Sequence, residues 1–123
     1  MTHIGDDVHI VLQSDEMFFR GSANLNPKSF PILDNLARLL TNYEKTSAIV
    51  TAYTDNVNTP DHDQALSRRQ AQAIASYLWR RGTDTRLLVT KGKGQMMPTA
   101  TNRNEQGRAQ NRRVEIDFRQ LYG

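Results

Sequence analysis

Apolar positions along this chain change period several times, and each change predicts an element. Val8-His9-Ile10-Val11-Leu12 is rich in β-branched residues and predicts a strand. Met17-Phe18-Phe19 follows as an apolar plug ahead of a Gly21-Ser22-Ala23 turn. Asn26-Pro27 has the chemistry of a helix start, Asn capping and Pro at the first helical position. Phe30, Leu33, Leu36, Ala37 and Leu40 then recur at helical spacing, which predicts a helix over about 27–43. Ala48 to Tyr53 is almost wholly apolar or β-branched, as in a strand covered on both faces. Residues 54–63 read as a polar loop containing Pro60. Leu66, Ala73, Ile74, Tyr77 and Leu78 form the stripe of a second helix over about 64–81, stopped by Gly82, with Arg80 and Arg81 facing its dipole. Leu87-Leu88-Val89-Thr90 predicts a third strand, followed by a Lys91-Gly92-Lys93-Gly94 turn within a long polar loop over 91–111. Val114, Ile116 and Phe118 alternate with Glu115, Asp117 and Arg119, the pattern of a half-buried strand.

The resulting order is β-α-β-α-β-β. Its strand-helix-strand-helix-strand opening favours parallel pairing with helices packed on the sheet. The final strand is expected to pair antiparallel, which makes an α+β domain with a mixed sheet. The 123 residues suit one domain over 1–123, with its core at about 8–119. There is no cysteine, so neither a disulfide nor a thiolate metal site is available. The mean hydropathy is −0.66, and no apolar run approaches the roughly 18 residues of a membrane-spanning helix. The opening residues are largely polar and show no signal peptide, so an exported protein would be a mature or trimmed form.

The net charge of +3 is unevenly placed. Residues 1–60 sum to −3 and residues 61–123 to +6, an imbalance that suits either an anionic partner or simply solvated helix faces. Asp55, His62 and Ser67 lack the nucleophile elbow and oxyanion turn of a catalytic triad. His3, His9 and His62 lack metal-ligand spacing, and the Lys91–Gly94 segment lacks the Lys-Ser/Thr ending of a phosphate loop. These readings lead to the expectation of a non-enzymatic domain with no metal and no cofactor. Trp79, beside Arg80 and Arg81, either covers the helix end or anchors a partner.

An ordered set of short motifs is more specific. It comprises a Phe ahead of Gly21-Ser22-Ala23, Ala52-Tyr53-Thr54-Asp55, Leu66-Ser67 with Ala71, Tyr77-Leu78 with Gly82, Lys91-Gly92-Lys93-Gly94 with Pro98, and Asn111-Arg112-Arg113-Val114-Glu115-Ile116. In this order the chain resembles the OmpA-like peptidoglycan-binding domain of outer-membrane porins, Pal-type lipoproteins and flagellar stator proteins, from about Val8 to Phe118. The resemblance implies a periplasmic domain of a Gram-negative envelope whose ligand is the diaminopimelate of the peptidoglycan stem peptide. Such a ligand presents an amine and a carboxylate, and needs an anion and a cation held at matched distance.

Carried over position by position, the resemblance implies that Asp55 supplies the anion and that Thr54, Asp63, Leu66, Gln70 and Arg69 are the other candidate contacts. Gln70 stands where the family keeps an arginine, Asp63 where it has Asn, and Tyr53 where it has His. The site therefore loses a cation and gains an anion. A charge-assisted hydrogen bond contributes roughly 1.5–3 kcal/mol against about 1 for a neutral one, so the exchange predicts binding weaker by several-fold to tens of fold. Gln70 borders the buried stripe and is also expected to satisfy a loop carbonyl. Asn111, Arg112 and Arg113 are implied to be structural, with Arg112 bracing the loop. Three functions compete. The first is a cell-wall anchor with a weakened diaminopimelate site. The second is an interaction subunit of an envelope assembly, such as a secretion system, that has lost the ligand. The third is nucleic-acid binding through Lys91, Lys93, Arg103, Arg108, Arg112 and Arg113, which few aromatic residues accompany. The expected partners are the stem peptide and other envelope proteins, with no nucleic acid and membrane attachment only through a segment outside this sequence.

Overall fold

The structure, a computed structural model, describes residues 7–41, 46–82 and 85–120. The elements are β1 (Asp7–Gln13), α1 (Ser14–Met17), a 3-10 turn (Pro27–Ser29), α2 (Phe30–Thr41), β2 (Thr46–Tyr53), α3 (Pro60–Arg80), β3 (Thr85–Gly94), α4 (Glu105–Asn111) and β4 (Arg113–Gln120). The four strands form one mixed sheet in the order β1-β4-β2-β3. β4 lies between β1 and β2 and is antiparallel to both, whereas β2 and β3 are parallel. The α+β class and the antiparallel last strand agree with the reading from the sequence. The opening βαβ unit does not pair with itself, because β4 inserts between its two strands.

Register explains the core. Val8, Leu12, Ala48, Val50, Ala52, Val114, Ile116 and Phe118 share one sheet face, and all are buried. Leu33, Leu36, Ala37 and Leu40 from α2, with Ala71, Ile74, Ala75 and Leu78 from α3, complete the same cluster. The opposite face carries His9, Glu115 and Asp117. There His9 Nδ1 makes a short contact with the Asp117 carboxylate. The expected two-sided cover of β2 holds only near its end: Thr51 and Tyr53 are buried, but Ser47 and Ile49 are half-exposed. The apolar run reflects a position between two strands more than cover by two layers.

Three boundaries differ from expectation. α3 begins at Pro60, not near residue 64, because Thr59 Oγ1 caps the His62 amide at 3.2 Å and Pro60 occupies the first turn. Lys91-Gly92-Lys93-Gly94 is not a turn but the end of β3. The expected long loop is therefore shorter, and α4 interrupts it with Asn104 capping Gly107 at 2.7 Å. Gly92 is required for packing: a Cβ there would lie 2.5 Å from the Arg68 amide nitrogen and 2.7 Å from Ser67 Oγ. Ser67, Ala71 and Ala75, all small, are among the buried residues of α3. Phe30, expected in the core, is 36 % exposed and stacks on the Tyr77 ring at 5.3 Å, joining α2 to α3. Gly82 has the positive φ of a helix stop, 86°, and donates its amide to Trp79 O at 3.1 Å. The last two residues of the expected first helix, 42–43, and His3 lie outside the described residues.

Candidate functional site

The end of β2 delivers Thr54 and Asp55 to one rim of a cleft of about 140 Å³, lined also by Asp15, Phe18, Phe19, Arg20, Tyr53, Asp63, Leu66, Gln70 and Arg112. Backbone pairing holds this rim, since the Thr54 amide donates to Gly94 O at 2.7 Å. Asp55 is 8 % exposed, and its two oxygens have separate partners. Oδ1 accepts the Val57 amide at 3.1 Å, and Oδ2 accepts Arg112 Nη1 at 2.7 Å. Thr54 Oγ1 donates to the Asp55 carbonyl at 2.8 Å and so stiffens the turn.

α3 supplies the other wall. Asp63 sits in its first turn and is 1 % exposed, with Oδ2 accepting Gln95 Nε2 at 2.8 Å and Oδ1 3.3 Å from His62 Nδ1. Leu66, one turn later, adds an apolar surface. Gln70, one turn further, is 5 % exposed and donates Nε2 to Ser22 O at 3.0 Å, the loop carbonyl that its position suggested. Gln70 Oε1 is buried with no hydrogen-bond partner among the described residues. Arg69 is exposed and does not line the cleft. Adjacent helical residues point about 100° apart, so burying Gln70 turns Arg69 away.

A guanidinium nevertheless enters the cleft, from the far side. Arg112 forks onto Asp15 through Nε and Nη2, each at 2.8 Å, and also donates to Asp55 and, at 2.6 Å, to Glu105 Oε1. The hydrogen bonds to Asp15 are the largest reason that its pKa is raised, against the opposing effect of burial. The hydrogen bond from Arg112 to Glu105 holds that carboxyl below its ordinary range. Arg20 stands at the rim, 3.5 Å from Glu105 and 78 % exposed. Thus Asp55 is ion-paired within the protein, and the cation comes from the closing motif, not from α3. Asp15, Arg20 and Glu105 carried no signal in the sequence beyond their charge.

Loop bracing is divided within that motif. Asn111 is fully buried. Its Oδ1 accepts the Thr99 and Ala100 amides at 2.8 and 2.9 Å, and its Nδ2 donates to Ala100 O at 2.9 Å. Arg113 lies 3.8 Å over the Tyr53 ring, donates to Met97 O at 3.0 Å and pairs with Glu115 at 2.6 Å. Burial, and then the Glu115 charge, raise the Tyr53 pKa, which keeps the phenol neutral beneath the cation. The Arg112 side chain meets this segment through Glu105 of α4, and its hydrogen bonds to Asp15 and Asp55 face the cleft. Three of the six basic residues weighed for nucleic-acid contact, Arg108, Arg112 and Arg113, are thereby ion-paired. Ser67 is fully buried, with its hydroxyl donating to Gln64 O and accepting the Gly94 amide at 2.9 Å. Its bonds fasten α3 to β3 and do not join it to His62 or Asp55.

The molecule is thus an α+β module with a mixed sheet and a small cleft that has a buried carboxylate on one wall. The chain belongs to the OmpA family, whose model matches residues 17–112. It is 36% identical over 121 residues to the probable lipoprotein YiaD of Escherichia coli (strain K12), covering 98% of this chain and 55% of that protein. It is 35% identical over 99 residues to the peptidoglycan-binding protein ArfA of Mycobacterium tuberculosis, covering 80% of this chain and 30% of that one. The chain thus spans about half the length of the first relative and under a third of the second. Among solved structures it is similar to the cell wall anchor of the T6SS from Pseudomonas aeruginosa, with a TM-score of 0.84 and 30% identity over 94% of this chain and 83% of that one. No described helix is long and apolar enough to cross a membrane.

Proposed function

We propose that this domain is a non-catalytic periplasmic anchor that holds an envelope protein or complex to peptidoglycan through the stem peptide. The carrying observation is the buried Asp55 carboxylate in a cleft with Asp63 on the opposite wall, a place for the ammonium of diaminopimelate. The peptidoglycan-binding relative and the T6SS wall anchor support this reading. With Gln70 in the arginine position and its Nε2 committed to Ser22 O, the grip on a ligand carboxylate is weak.

A second reading has its own observation. Arg112 already pairs Asp55, so the cleft is internally neutralised in part and the domain can serve as a docking subunit of an envelope assembly. A sacculus pull-down separates the two. Under the anchor reading the native domain sediments with purified sacculi, Asp55→Ala lowers retention, and Gln70→Arg raises it. Retention unchanged by Asp55→Ala would refute this contact, and no retention at all would favour the docking subunit.

A further inference from the structure

The seat of Gln70 reveals more than a lost charge. Its Nε2 is anchored on the Ser22 carbonyl at 3.0 Å, which orients the amide with Oε1 on the side without a partner. Reversing the amide would set Oε1 against the Ser22 oxygen, acceptor against acceptor, and so gains nothing. The side chain is 5 % exposed and lines the same cleft as Asp55 and Asp63. A buried acceptor without a donor is costly, and a ligand that brings an N–H recovers that cost.

The charges around it point the same way. Among the described residues, the cleft is lined by three carboxylates, Asp15, Asp55 and Asp63, and two guanidiniums, Arg20 and Arg112. Both guanidiniums are already engaged: Arg112 by Asp15, Asp55 and Glu105, and Arg20 by Glu105. A ligand carboxylate would find Arg112 held by three carboxylates and Arg20 out at the exposed rim, with no cation beside Gln70 on the α3 wall. A primary carboxamide, which carries both N–H and C=O, can donate to Oε1 and accept from the remaining Nε2 hydrogen.

We propose that the cleft selects a stem peptide whose diamino-acid carboxyl is amidated, with its ammonium between Asp55 and Asp63 and its carboxamide on Gln70. Gln70 is then the specificity-determining residue. It replaces the ion pair that an arginine would make with an amide–amide pair. This inference rests on the stem-peptide reading above.

The test uses two synthetic stem peptides that differ only at that carbon, one a free carboxylate and the other a primary carboxamide, titrated calorimetrically into the whole domain. The expected result is tighter binding of the carboxamide by about tenfold, the difference between a satisfied and an unmet buried acceptor. Gln70→Arg is expected to invert the preference, with folding checked by circular dichroism. The comparison on the native chain needs no variant, so a misfolded Gln70→Arg does not blunt it. Equal or tighter binding of the free carboxylate overturns this inference while leaving the stem-peptide reading intact. Failure of both peptides to bind at millimolar concentration overturns both.

Discussion

Arg112 and Asp55 meet across the cleft, Nη1 to Oδ2 at 2.7 Å, although they stand far apart in the sequence. Asp55 leaves the end of β2, and Arg112 closes α4 just before β4. Because β4 pairs with β2, Tyr53 lies opposite Arg113, and the register alone brings their neighbours within reach. The same guanidinium collects Asp15 and Glu105, so one cation organises three carboxylates.

Removing that cation strips Asp15 and Asp55 of their guanidinium partner, while Glu105 keeps Arg20 and Arg108 nearby. Arg112→Ala is expected to lower stability by about 1–3 kcal/mol, the cost of stranding partly buried charge-assisted acceptors. Arg112→Lys should recover only part, because an ammonium cannot reproduce the fork on Asp15. Urea denaturation measures both, and a loss below about 0.5 kcal/mol for Arg112→Ala would mean the cluster is screened like an ordinary surface pair.

The pH dependence follows from Glu105. Its pKa is lowered from the ordinary 4.5, first by the hydrogen bond from Arg112. A folded-state pKa below the unfolded one contributes stability that is present above the unfolded value and lost as pH falls through the folded value. Stability should therefore decline as pH drops below 4.5, and Glu105→Gln should flatten that part of the profile. Thermal melts at stepped pH values check it, and an identical slope in the variant would remove Glu105 from the account.

Gly92→Ala tests the contact between α3 and β3. The added methyl would sit 2.5 Å from the Arg68 backbone nitrogen, and helix backbone cannot yield as a side chain tip can. Overpacking of this kind costs about 1–3 kcal/mol, and it should also perturb the Ser67 and Gln64 bonds that tie the helix to the strand. The midpoint of denaturation, with amide shifts around residues 64–68, reports the effect.

Asn111→Ala strips the loop of its buried brace. Thr99 and Ala100 lose their acceptor, and Ala100 O loses a donor. These groups are only part-buried, so each bond lost costs about 0.5–1.5 kcal/mol. Amide hydrogen exchange should quicken at Thr99 and Ala100 well before the sheet exchanges. Protection unchanged at these two amides would show that the loop holds its shape without Asn111.

Much of the fold was legible because burial writes a period into the chain. Val114, Ile116 and Phe118 had to alternate, and Leu33, Leu36, Ala37 and Leu40 had to share a stripe, wherever the sheet lay. Local chemistry at the ends of elements misled where it served two purposes. Pro60 looked like a loop breaker but opens α3, and Gly92 looked like a turn but is a strand residue stripped of its side chain for a passing helix. The ordered motifs carried Thr54, Asp55, Asp63, Leu66 and Gln70 to one cleft, since those positions follow from strand end and helical turn.

Chain chemistry alone therefore settled which residues are apolar partners and where most elements run. Which charges neighbour one another needed the folded molecule. Arg112 and Asp55 are separated by fifty-seven positions and no local period links them. Their pairing depends on β4 slipping between β1 and β2, a choice made by the summed burial of all three strands. The orientation of the Gln70 amide likewise depends on one distant carbonyl, that of Ser22, which only three-dimensional packing could bring within 3.0 Å.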